Sequence, residues 1–215
     1  MDEQYKPVVL DQKWISKQLL GSEKVREAYA ALADEYEFVL RFQLPDVEAQ
    51  PDDYLDALYE AGCDDALVGI GLPGYIGLDF CREAESASEA ISSAIENTLA
   101  AIPDALLVEV TPDLLNLSEM ADLISAQVQP VTRQAMRKYA FGQVAKMKTR
   151  FPPAAVASRS PLWHLDDVVN WLVENGKAEP DNAFSLIQTA RTARVLNVRL
   201  QAEALEALDD QSLSE

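Results

Sequence analysis

The chain has 215 residues, 48% hydrophobic and 25% charged, with 36 Asp and Glu against 18 Lys and Arg and a formal net charge of −18; this is the composition of a globular chain that buries a core, not of a disordered one, and at about 100–200 residues per domain it predicts one large or two small domains. No apolar run approaches the ~18 residues of a membrane span, the start Met1-Asp2-Glu3 lacks the cationic opening of a signal peptide, and two cysteines, Cys63 and Cys81, are too few for a disulfide framework or a four-thiolate zinc site. A cytoplasmic protein with no metal, no cofactor and no membrane contact is expected, and a charge this negative argues against non-specific nucleic-acid binding by the chain as a whole.

Residues 1–34 read as a helical segment. Asp11 caps an amphipathic run through Trp14, Ile15, Leu19 and Leu20 that Gly21 ends, and Ser22 starts a second through Val25, Ala28, Tyr29 and Leu32. Residues 35–111 read as one α+β domain. Tyr36–Leu44 alternates as a strand with Phe38, Leu40 and Phe42 on one face and Pro45 as its stop. Asp52–Ala61 reads as a helix with the stripe Tyr54, Leu55, Leu58 and Tyr59 and with Gly62 past its end. Ala66–Ile70 and Tyr75–Phe80 are strands about a Gly71–Gly74 turn, where Pro73-Gly74 suits type II. Ser86–Ile102 is a long helix with Ala87, Ile91, Ala94, Ile95 and Leu99 on one side, and Ala105–Val110 a last strand. The order βαββαβ predicts a ferredoxin-like domain, a fold that hosts many functions.

Thr111-Pro112 marks a boundary, and residues 112–176 differ in composition. Asn116 and Glu119 have capping-box spacing for a short helix through Met120, Leu123 and Ile124. Gln129-Pro130 makes a turn, and Thr132 caps a second helix, Arg133–Ala140. Phe151-Pro152-Pro153 breaks helix and opens an extended segment to Trp163; Asp166 or Asp167 begins another helix with Val168, Val169, Trp171 and Leu172, ending near Gly176. A final helix, 181–210, is capped by Asp181 or Asn182, with Phe184, Ile187, Val195, Val198, Leu205 and Leu208 along one broad side.

The charge is unevenly spread. Residues 1–122 hold 26 acids and 7 bases, whereas residues 123–165 hold no acid and 7 bases: Arg133, Arg137, Lys138, Lys146, Lys148, Arg150 and Arg159. A segment purged of carboxylates inside an acidic protein points to a surface that faces an anion. A helix that enters the major groove needs long donors near its N-terminus and an apolar side to seat it. In Thr132–Ala140, Ala135, Met136 and Tyr139 form the seat, leaving Arg133, Gln134, Arg137 and Lys138 outward. Arg pairs with guanine and Gln with adenine, while Lys and Thr more often hold phosphate. Arg159, in Ser158-Arg159-Ser160, would tip a wing, and Lys146, Lys148 and Arg150 lie between helix and wing.

The runs Leu117-Ser118-Glu119-Met120-Ala121-Asp122-Leu123 and Thr132-Arg133-Gln134-Ala135-Met136-Arg137-Lys138-Tyr139 are followed by Phe151-Pro152, Ser160-Pro161-Leu162-Trp163 and Leu165-Asp166-Asp167-Val168-Val169-Asn170-Trp171-Leu172. Together they resemble the winged helix-turn-helix DNA-binding domains of the MerR and excisionase (AlpA-like) type. The resemblance implies that Thr132, Arg133, Gln134, Arg137, Lys138, Lys146, Lys148, Arg150 and Arg159 contact double-stranded DNA. One departure stands out: Ser125–Thr132 has no glycine where the family's turn carries one. Tyr139–Lys148 also adds length before the wing, either as more helix or as a separate loop.

Other patterns mislead. Gly69-Ile70-Gly71-Leu72-Pro73-Gly74 matches G-x-G-x-x-G, but it joins two strands, and the dinucleotide fingerprint needs a strand before and a helix after. His164 is the one histidine and has no acid or cysteine cluster to make a metal site with it. Trp163 and Trp171 are expected in the core. No catalytic constellation is visible, and no enzyme is expected. The expected function is a dimeric, sequence-specific DNA-binding transcriptional regulator, with helix 181–210 as the dimerisation element and the acidic N-terminal domain binding a protein partner or a small ligand. The alternative is an antitoxin-like or nucleic-acid-mimicking module that neutralises a basic partner.

Overall fold

The computed structural model describes residues 34–70 and 72–212. The helical segment expected over 1–34 lies outside them except for Asp34, which opens a strand. The protein is α+β and divides into two compact units, one comprising the chain to Val110 with residues from Asn197 onward, the other Thr111–Leu196.

The first unit is built on a four-stranded antiparallel sheet in the order β2-β3-β1-β4. Its strands are β1 (Asp34–Gln43), β2 (Ala66–Ile70), β3 (Tyr75–Ala84) and β4 (Leu106–Thr111). β3 runs four residues beyond its expected end at Phe80, paired with β1 throughout, from Tyr75 against Gln43 to Ala84 against Asp34. The period-2 alternation sends Phe38, Leu40 and Phe42 of β1 and Ile76, Leu78 and Phe80 of β3 to one face, where all six are essentially solvent-free. Phe38 and Phe80 stack there at 5.3 Å.

That face is covered by two helices. Ser86 caps α2 (Ala87–Ala101) by accepting from the Glu89 N–H, and Ala87, Ala90, Ile91, Ala94, Ile95 and Thr98 are its buried side. The helix expected over Asp52–Ala61 is instead a 3-10 turn, Pro51–Tyr54, followed by α1 (Leu55–Glu60). Of its expected stripe only Leu58 is buried; Tyr59 is 70% and Leu55 41% exposed. The regular helix is thus cut to six residues, less than two turns, and only one side chain of the stripe reaches the core. Gly62, at φ +87°, closes α1 with the Cys63 N–H bonded to the Leu58 carbonyl. Arg82 is buried at the edge of this core. It makes a two-point pair with Asp65, donates to the Gly62 carbonyl and lies 4.9 Å above the Phe80 ring. Leu72-Pro73-Gly74-Tyr75 is the hairpin turn, with Gly74 at φ +75° and Tyr75 N–H bonded to the Leu72 carbonyl. The glycine motif therefore runs from a strand to a strand, and Gly71 lies outside the described residues.

The second unit packs helices α3 (Leu117–Gln127), α4 (Arg133–Ala140) and α5 (Leu165–Glu174) with the start of α6 (Pro180–Ser212). A two-residue ladder, β5 (Leu114–Leu115) with β6 (Trp163–His164), joins the chain entering α3 to the chain entering α5. Its core holds Met120, Ile124, Met136, Leu165, Val168, Val169, Trp171 and Leu172, with Trp163 partly buried against it.

α6 departs from expectation twice. It begins at Pro180, so Asp181 lies in its first turn rather than capping it; proline suits that position because its missing N–H has no partner to lose there. Its buried side is Ala183, Leu186, Ala190, Ala193 and Leu196, while Phe184, Ile187 and Val195 are half-buried and Val198, Leu205 and Leu208 are 59–64% exposed. The small residues let the helix approach closely, and the larger ones that the periodicity singled out lie off that line. Asn197 bonds both the N–H and the carbonyl of Val110 on β4, at 2.9 and 2.8 Å.

Candidate nucleic-acid interface

The site is assembled from a helix pair, a loop and a hairpin, all in the second unit. Asn116 caps α3 by accepting from the Ser118 and Glu119 N–H groups, and the Glu119 carboxylate returns a bond to the Asn116 N–H. The turn to α4, Val128–Thr132, has no glycine. Ser125 takes over the closure: its hydroxyl accepts from the Val131 N–H at 3.0 Å and donates to the Val131 carbonyl at 2.8 Å. Thr132 then caps α4 through the Ala135 N–H.

α4 is amphipathic as expected. Met136 is buried and Ala135 and Tyr139 half-buried, whereas Thr132, Arg133, Gln134, Arg137 and Lys138 are exposed. At 100° per residue the last four occupy an arc of about 140° on the side away from the core. The helix stops at Ala140. Gly142, at φ +65°, ends it with its own N–H on the Tyr139 carbonyl and the Gln143 N–H on the Lys138 carbonyl. Residues 141–150 are therefore a separate loop, not more helix.

This loop is held in place chiefly by Asn175, which the sequence reading did not single out. The Asn175 side-chain oxygen accepts from the N–H groups of Lys148 (2.6 Å) and Thr149 (3.3 Å), and its nitrogen donates to the Thr149 hydroxyl and the Trp171 carbonyl. The Trp171 indole N–H donates to the Thr149 carbonyl at 3.2 Å. Tyr139 and Phe151 pack on Trp171 with ring centroids at 5.4 and 5.0 Å, and Phe151 meets Trp163 edge-on at 6.3 Å. Lys146, Lys148 and Arg150 thus project from a clamped backbone, and all are exposed. The signal available was Asn175 before Gly176, which reads only as a helix end.

The hairpin follows. Val156 and Leu162 exchange both backbone bonds at 3.1 Å, and Ser158 donates to the Ser160 carbonyl across the tip, where Arg159 is exposed. At its base His164 Nδ1 lies 2.6 Å from buried Asp113. His164 thus has one acidic partner, and no group of three metal-binding side chains occurs among the described residues.

The electrostatics single out one residue. Arg133 makes a two-point pair with Asp122 on α3, at 3.2 and 2.6 Å. Hydrogen bonding to Asp122, then its charge, holds the guanidinium above its usual range. The acid one position before the acid-free window is therefore beside its first base. Both partners are about 60% exposed, and pairs of that kind add little to stability and open readily. Arg137, Lys138, Lys146, Lys148, Arg150 and Arg159 form no ion pair among the described residues. The remaining arginines of the unit are occupied elsewhere. Arg194 binds Asp166 (3.0 Å) and Asp167 (3.1 Å), and Arg191 approaches Asp166. Burial lowers the Arg194 pKa, but the two carboxylates outweigh it and the net shift is upward.

No protein-family model, no curated protein and no solved structure matches this chain.

Proposed function

We propose that the protein is a dimeric, sequence-specific DNA-binding regulator whose second unit reads the duplex as a winged helix-turn-helix. The observation that carries this is the exposed row Arg133, Gln134, Arg137 and Lys138 on α4, seated by Met136 and Tyr139 and flanked in sequence by a clamped basic loop and a hairpin tipped by Arg159. α4 would lie in the major groove, with Arg137 and Gln134 on base edges and Thr132 and Lys138 on phosphate. Lys146, Lys148 and Arg150 would hold backbone, and Arg159 would reach a phosphate or the minor groove.

A single helix reads few base pairs, so paired half-sites are needed for useful specificity. Val198, Leu205 and Leu208, exposed on α6 at heptad-compatible spacing, support self-association through that helix. The βαββαβ order and the strand order β2-β3-β1-β4 support a ferredoxin-like reading of the sheet unit. No helix among the described residues is long and apolar enough to cross a membrane.

Selection of bound duplexes from a random pool by the full chain tests the reading. A palindromic consensus is expected. Arg137→Ala should then cost about 1–3 kcal/mol at one position of the consensus, while Lys148→Ala should weaken all sequences alike and reduce the salt slope by about 1. Recovery of no consensus, together with equal salt slopes for both variants, would remove it.

One observation favours a second reading. Residues 34–110 carry 18 acids and 2 bases, and both bases, Arg41 and Arg82, are paired internally with Glu109 and Asp65. Such a unit would suit an antitoxin-like or nucleic-acid-mimicking module that neutralises a basic partner. Co-purification with a basic protein, lost on reversing charges in the sheet unit, would favour it.

A further inference from the structure

The face of the sheet opposite α1 and α2 contains a hollow of about 440 Å³. Its floor is two glycines, Gly69 on β2 and Gly77 on β3, which face each other in register. Nothing in the backbone demands glycine at either place. Neither has a positive φ, and a Cβ on Gly69 or Gly77 would sit 3.6 or 3.9 Å from the other's carbonyl oxygen, an ordinary contact. Glycine inside a strand weakens it, through greater entropy loss and a missing packing partner. What the pair supplies in return is the empty space above it.

The walls are mostly apolar. Val39, Leu67, Leu72 and Tyr75 line the hollow, and Leu67 and Leu72 are 76% and 72% exposed. Two charged residues also line it, Arg41 and Asp79. The Arg41 guanidinium is engaged by Glu109. Asp79 stands across from Val39 on one side and Leu67 on the other, with no ion pair and no hydrogen bond among the described residues. A flat, apolar body fits the glycine floor between leucine and tyrosine walls, and the exposed Asp79 carboxylate at one end is free to pair with a positive charge. The surrounding unit, with 18 acids and 2 bases over residues 34–110, adds a field that attracts cations and repels anions.

The geometry points to a binding site on the sheet face opposite α1 and α2 for a small organic cation: a flat apolar group lying on Gly69 and Gly77 with an ammonium or amidinium on Asp79. This goes beyond DNA reading and does not depend on it.

The test uses the full chain, ¹⁵N-labelled, and three matched probes: 2-naphthylmethylammonium, the neutral 2-naphthylmethanol and the anionic 2-naphthoate. The ammonium should shift the Gly69 and Gly77 amides saturably and bind at least about fivefold more tightly than the alcohol, the scale of one exposed ion pair. The carboxylate should not bind. Asp79→Asn should bring the ammonium down to the affinity of the alcohol. Gly77→Val, which fills the hollow on a backbone that accepts it, should abolish binding of both while leaving the fold intact or stabilising it. Absence of saturable shifts, equal affinity for ammonium and alcohol, an unchanged Asp79→Asn variant, or binding retained by Gly77→Val would each overturn the site. No DNA enters the experiment, so its failure leaves the DNA reading standing, and failure of the pool selection leaves this site standing.

Discussion

The two units treat charge in opposite ways. Residues 34–110 carry 18 acids and 2 bases, and residues 111–196 carry 8 acids and 10 bases. In the sheet unit both bases are consumed inside the unit, and in the second unit five of the eight acids are. In the sheet unit Arg41 and Arg82 bind Glu109 and Asp65. In the second unit Asp113 binds His164, Glu119 closes a helix cap, Asp122 binds Arg133, and Asp166 and Asp167 hold Arg194. What remains for solvent is therefore more one-sided than the formal charge suggests. A net of only +2 over residues 111–196 accompanies six exposed cations that form no ion pair among the described residues. Composition alone understates such a surface; the pairing pattern reveals it.

The strongest way to sharpen the contrast is to damage one unit and watch the other. Trp171, 3% exposed and in contact with Tyr139 and Phe151, should cost about 3–5 kcal/mol on truncation to alanine. Hydrogen exchange should show lost amide protection across α5, with β1 and β3 unchanged. Loss in both units together would mean that they unfold as one.

Asn175→Ala comes next. It strips the loop of its acceptor at Lys148 and Thr149, and leaving those groups unpaired should cost about 1–3 kcal/mol. Thermal melting measures that loss. Because Lys146, Lys148 and Arg150 would lose a fixed geometry, DNA affinity should also fall; unchanged affinity would mean that the clamp has no bearing on binding.

Asp122→Ala probes the one base of the candidate interface that is held in an ion pair among the described residues. Both partners are exposed, so the melting temperature should hardly move. Freeing Arg133 should strengthen DNA binding and steepen its salt dependence; weaker binding would assign the pair an orienting role.

The smallest effect lies on the sheet unit. Cys81 is exposed, yet its thiol is pushed up from 9.0 to about 11, first by its hydrogen bond with Glu35, then by burial and the neighbouring charges of Glu35, Glu37 and Asp79. The raised value means that the neutral thiol persists through pH 9 and the reactive thiolate appears only near pH 11. Alkylation rate against pH should show that shift, and Glu35→Gln should move the profile to lower pH.

Much of this was legible in the sequence because local rules decided it. Asn116 with Glu119, Thr132 and Gly62 mark helix ends through bonds to their own neighbours, and the structure places the caps there. Alternation in Phe38, Leu40 and Phe42 named the buried face of β1, since a two-residue period admits no other. The failures came where distant contacts decide. Tyr59 and Leu55 fit a stripe of which only Leu58 reaches the core. Val198, Leu205 and Leu208 outrank alanine in hydrophobicity, yet Ala183, Ala190 and Ala193 face the packing surface of α6. Within the candidate site, the outward row of α4 followed from helical period. The Asn175 clamp, the Asp113–His164 pair and the Ser125 closure of the turn did not, because each joins residues whose proximity only the fold creates.

Affinity of the full chain for its selected duplex across a salt series tests the central claim most directly. Six unpaired cations at about 0.9 counterions each set a limit near −5 per protomer for the slope of log K against log salt. A clear negative slope within that limit, made shallower by about 1 on Lys148→Ala and steeper on Asp122→Ala, is the expected result. Binding that ignores salt, or no binding at low salt, would contradict a basic surface that reads DNA.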